Sequence, residues 1–176
     1  MAVESAASAL MRVMPALEVR YVFGSRLRGT RGPKLLRYLL DRGADEFSIS
    51  VMALHDTPAP FADAFEDELE HYQREVASRR APASAAEASV MRSVRLWAFN
   101  HASLERLLSF VDADMFHCPP GPDGWLENLT IYRGGELVLG IVSHEGEGVL
   151  RLTRAEHAEA AALDIPSEPL AESIRY

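Results

Sequence analysis

The sequence predicts an α+β fold: a mixed sheet built from two βαβ-like segments plus a C-terminal antiparallel meander, with helices packed on the sheet. Three observations carry this. Short apolar runs of strand character alternate with segments of helical period through the first two thirds of the chain. Gly134-Gly135 sits between two apolar runs, a strong hairpin signal. A pattern of strand, helix, acidic turn and strand also occurs twice. The first copy runs from Val19 through Leu35–Leu40 to Asp45-Glu46-Phe47, the second from Val94 through Leu104–Leu108 to Asp114-Met115-Phe116. This echo reads either as two related halves facing each other across one sheet, or as ordinary strand–helix–strand units in an Arg- and Leu-rich chain. Both readings predict the same layers. The expected organisation is a single domain over 1–176, with pseudo-repeat halves at 17–54 and 90–118 and a loop at 80–89. A chain of 176 residues can bury about 70% of its unfolded surface, so a core needs no staples.

In chain order, 3–14 has helical composition, and Leu17–Phe23 passes from alternating to continuously apolar, as a buried strand does. A Gly- and Arg-rich loop from Gly24 to Gly32 leads to Pro33, which suits the first turn of a helix ending near Arg42 with Gly43 as its stop. Phe47, Ile49 and Val51 alternate with serines in a second strand over 46–54, broken by Thr57-Pro58-Ala59-Pro60. Phe61, Phe65, Leu69, Tyr72 and Val76 form an apolar stripe at helical period. A third strand, Val90–Phe99, leads to a helix through Val111 capped by Asn100 or Ser103. A short strand, Met115–Cys118, enters the loop Pro119–Gly124. The meander comprises Leu126–Tyr132, Glu136–Ser143 and Val149–Leu152, followed by a helix over Thr153–Leu163.

One cysteine, Cys118, excludes an internal disulfide framework and points to a reducing compartment. Glu4, Arg12 and Pro15 interrupt the N-terminal apolar stretch, so neither export nor membrane insertion is expected and the cytoplasm is the predicted location. The net charge of −8 divides into +5 over residues 1–42 and −13 over the rest. The overall sign disfavours nucleic acid, while the basic quarter remains able to face an anion.

Three residue groups carry possible chemistry. Arg26, Arg28, Arg31 and Lys34 lie in the loop between a strand and a helix, where backbone N–H groups and forked arginine donors suit a phosphate. The ligand class is a nucleotide or a coenzyme A ester. The loop lacks the Lys-Ser/Thr pair of a Walker A motif after Gly29, and Arg31 stands where an acetyl-coenzyme A loop needs a small residue. Its other reading is a solvated loop whose arginines pair with the acidic remainder of the chain.

In the second group, pairing outward from Gly134-Gly135 matches Arg133 with Glu136, Ile131 with Val138 and Trp125 with His144. That register would converge His117, Cys118, His144 and Glu145. Cys118 is then a nucleophile with His117 or His144 as base, His144 with Glu145 beside it being favoured because adjacent strand residues point to opposite faces, or else a small buried apolar residue. No ligand spacing supports a metal, and nothing calls for a cofactor.

The third group, Asp63, Glu66, Asp67 and Glu70, forms an anionic strip opposite the apolar stripe. It is either a solvated helix face or a dock for a basic protein partner. Small acidic proteins that neutralise basic toxins work this way physically. The leading expectation is therefore a non-enzymatic acidic binding protein, acting through this surface or an exposed sheet edge. The alternative is a small-molecule enzyme or ligand-binding domain that uses the loop at 24–34.

Overall fold

A computed structural model describes residues 19–23, 27, 29–53, 60–81, 90–111, 124–165 and 168–169. The expected N-terminal helix, the strand Met115–Cys118 and most of the 80–89 loop lie outside these residues. Eight strands form one sheet: β1 (Val19–Phe23), β2 (Glu46–Ala53), β3 (Gln73–Ala81), β4 (Val90–Ala98), β5 (Gly124–Arg133), β6 (Glu136–Val142), β7 (Glu147–Leu152) and the two-residue β8 (Glu168–Pro169). Their order is β3-β4-β2-β5-β6-β7-β1-β8. The helices are α1 (Arg31–Asp41), α2 (Pro60–Leu69), α3 (His101–Val111) and α4 (Arg154–Ala162).

The fold is α+β with a C-terminal antiparallel meander. β1 and β2, the strands of the first strand–helix–strand segment, run in the same direction but are separated by β5, β6 and β7; the closing strand expected of the second segment lies outside the described residues. Hydrogen-bonded neighbours are therefore antiparallel at every described pairing, in place of the expected mixture.

Alternation along the strands assigns the two faces. On β2, Phe47 is buried in the main core with Ile49 and Val51 packed against it, while Glu46 and Ser48 turn to the opposite face. The main core joins Leu35, Leu36 and Leu39 of α1, Phe65 and Leu69 of α2, Leu104 and Leu107 of α3, and Ala160 of α4 to the sheet. Phe47 stacks on Trp97 at 5.5 Å, and Phe65 meets Trp97 edge-on at 5.8 Å. A smaller cluster of Leu96, Tyr132 and Leu137, with Ala77 and Val94 against it, lies on the other face under the β3–β4 hairpin.

Local chemistry sets the boundaries. α1 ends as predicted: Gly43 takes a left-handed φ of +85°, and the Gly43 and Ala44 N–H groups donate to Leu40 and Leu39 carbonyls. Asn100 caps α3, its Oδ1 accepting from the Ala102 and Ser103 N–H groups. α2 departs from the predicted stripe. It stops at Leu69, makes one 3-10 turn over Glu70–Tyr72 and becomes strand β3, so Val76 is an exposed strand residue and not the end of a helix face.

The hairpin register also shifts. Arg133 pairs with Glu136 as expected, but a β-bulge between Ile131 and Tyr132 pairs Ile131 with Leu139 instead of Val138. Nearby, Asn128 adopts a left-handed φ of 56°. It exchanges two bonds with Ser143, N–H to Oγ at 2.9 Å and Ser143 N–H to Asn128 Oδ1 at 3.2 Å.

Candidate functional site

Of the four predicted anion-binding residues, Arg26 and Arg28 lie outside the described residues. Arg31 is engaged elsewhere: its Nε and Nη2 donate to Asp164 Oδ2 at 2.9 and 2.8 Å. Asp164 is 133 residues away in sequence and sits at the left-handed position that ends α4, with φ 61°. Lys34 is exposed. It borders a groove of about 620 Å3 between α1 and α3, lined also by Gly29, Thr30, Pro33, Arg37, Glu105 and Leu108. Arg37 donates to Glu105 across that groove at 3.0 Å. The α1 N-terminus has no side-chain cap from Thr30 and its Gly32 is buried, while Pro33 contributes no N–H.

The predicted Cys/His group is not brought together among the described residues, because His117 and Cys118 lie outside them. His144 and Glu145 sit in a 3-10 turn over Ser143–Glu145 that follows β6, their side chains 3.8 Å apart and His144 63% exposed. The proposed pairing of His144 with Trp125 does not occur. β5–β6 pairing stops at Thr130 and Gly140, and Trp125 pairs with Met52 of β2. The Asn128–Ser143 exchange diverts the chain before the register reaches them. Among the described residues no group of His, Cys, Asp and Glu is arranged to hold a metal ion.

The acidic helix gives the clearest geometry. Phe65 and Leu69 point into the core. On one flank Glu66 accepts from Arg95 of β4, and on the other Glu68 pairs with Arg106 of α3 at 3.2 Å. Asp63 and Asp67, one turn apart on the outward side, are exposed, as is Glu70 just beyond the helix end. None of these three has a cationic partner among the described residues. The strip predicted from sequence thus divides: Glu66 fastens the helix to the sheet, while Asp63, Asp67 and Glu70 form an outward ridge.

One polar cluster escaped the sequence reading. Glu46, only 7% exposed, accepts from Arg74 at 3.0 Å and from Arg79 at 3.4 Å. Next to it, Ser48 Oγ and the buried Tyr132 hydroxyl are 3.3 Å apart. Burial pushes the Tyr132 phenol up from its ordinary value, opposed by the Ser48 hydrogen bond and Arg79. A phenol held protonated in this way is a hydrogen-bonding group and not a base at neutral pH. The cluster latches the β3–β4 hairpin to the back of the sheet. Its signal in the sequence was the placing of Glu46 and Ser48 on the polar side of an alternating strand.

No protein-family model, no curated protein and no solved structure matches this chain. No helix among the described residues is long and apolar enough to cross a membrane.

Proposed function

We propose that this protein is a non-enzymatic binding protein whose docking face is the outward ridge of α2, and that its partner is a basic polypeptide. The supporting observation is the division of labour on that helix. The acids that hold α2 in place, Glu66 and Glu68, have arginine partners within the chain, and the acids with no cationic partner among the described residues share the outer face. Asp67 also lies in the last turn, where a carboxylate opposes the negative end of the helix dipole. Its presence there is not explained by helix stability. Exposed like charges on one ridge steer an oppositely charged partner and set its orientation.

The test is fluorescence anisotropy with a labelled polybasic peptide at two ionic strengths. Binding should weaken with salt and fall by about tenfold or more when Asp63, Asp67 and Glu70 are all changed to Lys. A control triple with the same charge change elsewhere, Asp41→Lys, Glu136→Lys and Glu147→Lys, should retain most of the affinity. Equal losses in the two triples would show attraction to net charge alone and defeat the reading.

A second reading has one observation in its favour, the groove between α1 and α3 with Lys34 on its rim. Its occupant would be a phosphorylated small molecule such as a nucleotide or coenzyme A ester. A thermal-shift screen with those ligands should then raise the melting temperature by several degrees, and Lys34→Ala should remove the rise.

A further inference from the structure

We infer that the β3–β4 hairpin is a second docking element, one that accepts an acidic polypeptide segment as an added strand along β3. β3 is the last strand of the sheet, so among the described residues the backbone N–H and C=O groups on its outer side have no strand partner. The hairpin also parts from β2 and folds over the back of the sheet toward β6. β4 pairs with β2 only at Trp97 and Ala98, and from Val90 to Arg95 it pairs with β3 alone. A bulge between Gln73 and Val76 leaves Val76–Ala81 as the regular stretch open to a guest.

The opposite edge offers little by comparison, since β8 is two residues long.

Register identifies the faces of the arm. Val76 lies opposite Arg95 and Arg80 opposite Met91, so Val76, Ser78 and Arg80 share one face with Met91 and Arg95. The other face, with Ala77 and Val94, packs on Tyr132 and Leu137. The outward face holds two of the three large hydrophobic side chains exposed among the described residues, Val76 at 63% and Met91 at 60%. Arg80 stands exposed beside them, without an acidic partner among those residues.

Charge selects the guest. β3 and β4 together hold five arginines and one glutamate; Arg74, Arg79 and Arg95 are paired with Glu46 and Glu66 inside the molecule, which leaves Arg80 on the outward face as the cation that meets a guest. A strand laid beside β3 places alternate side chains on the outward face, so the fitting segment carries an apolar residue next to Val76 and a carboxylate four residues away next to Arg80. A polypeptide fits better than a nucleic acid, because the edge presents donors and acceptors in strand spacing, which phosphates do not match.

The test uses the full chain and a labelled peptide in which threonine alternates with valine and glutamate, followed by anisotropy. Arg80→Glu, at an exposed position, should leave the melting temperature unchanged and weaken binding about tenfold. A peptide with lysine in place of glutamate should recover binding to Arg80→Glu. N-methylation of alternate peptide amides on one side should abolish binding, and the α2 triple Asp63→Lys, Asp67→Lys, Glu70→Lys should leave it intact. That last result separates this inference from the α2 reading, so either can fail alone. Affinity indifferent to both Arg80→Glu and N-methylation would overturn the proposal. So would tighter binding of a single-stranded oligonucleotide with the same Arg80 dependence, or dimerisation through this edge in sedimentation without peptide.

Discussion

α2 and α4 are both short acidic helices, yet their carboxylates do opposite work. In α4, Glu156 closes a capping box with Thr153, its Oε2 accepting from the Thr153 N–H at 2.8 Å while the Glu156 N–H donates to Thr153 Oγ1 at 3.2 Å. Its other oxygen accepts from Arg133 at 2.6 Å. Glu159 takes the Tyr38 hydroxyl at 3.1 Å and the Arg42 guanidinium. The first two bonds close the start of α4, and the others tie it to α1 and to the β5–β6 hairpin. The outer acids of α2 and of the turn beyond it tie nothing among the described residues. An acidic side chain therefore becomes a candidate for recognition only after the bonds inside the molecule have been assigned, and this segment retains three such groups, Asp63, Asp67 and Glu70.

The contrast can be broken by substitution. The largest effect should come from the anchor beneath α2. Phe65 is fully buried, edge-on to Trp97 and to Phe110 at 5.2 Å, so Phe65→Ala should cost about 3–5 kcal/mol in urea unfolding. Glu156→Ala comes next, losing the cap and the partly buried ion pair together, at about 2 kcal/mol. Glu156→Gln should lose less, because glutamine still completes a capping box. The outer ridge should show the smallest change. Asp67→Lys should alter stability by less than about 0.5 kcal/mol. A loss comparable with Glu156→Ala would show that the ridge is structural after all.

Two titrations sharpen the same comparison. Burial alone would raise the Glu156 carboxyl, but hydrogen bonds from Arg133 and Thr153 outweigh it and hold it below the usual range. Its stabilisation is therefore present above the unfolded-state value and lost as pH falls through the lower folded value. The acid limb of stability against pH should flatten in Glu156→Gln. At the alkaline end, burial and then the hydrogen bond to Glu159 push the Tyr38 phenol up to about 12. Stability from Tyr38 is complete below its ordinary value of 10.0 and declines as pH climbs toward about 12. Tyr38→Phe should remove that decline.

Local chemistry was legible in the sequence, and long-range pairing was not. Gly43 as a helix stop, Asn100 as a cap and Arg133 opposite Glu136 all follow from a few adjacent residues. The end of α2 was misread because Leu69, Tyr72 and Val76 keep helical spacing while the backbone passes through a 3-10 turn into a strand. Burial decides that case, and burial is a tertiary property. The hairpin register failed at a bulge, which inserts a residue without a compositional mark. For the candidate sites, the acidic strip was visible from periodicity. That Arg95 would take Glu66 and Asp164 would take Arg31 was not, since those partners lie 29 and 133 residues apart.

The docking claim for α2 is tested most directly by following backbone amide shifts of the 15N-labelled protein during titration with a polybasic peptide. The account predicts shifts concentrated from Asp63 through Tyr72, with the amides of α4 unmoved. Shifts centred instead on Glu156 and Glu159, or spread evenly over every acidic surface, would contradict it.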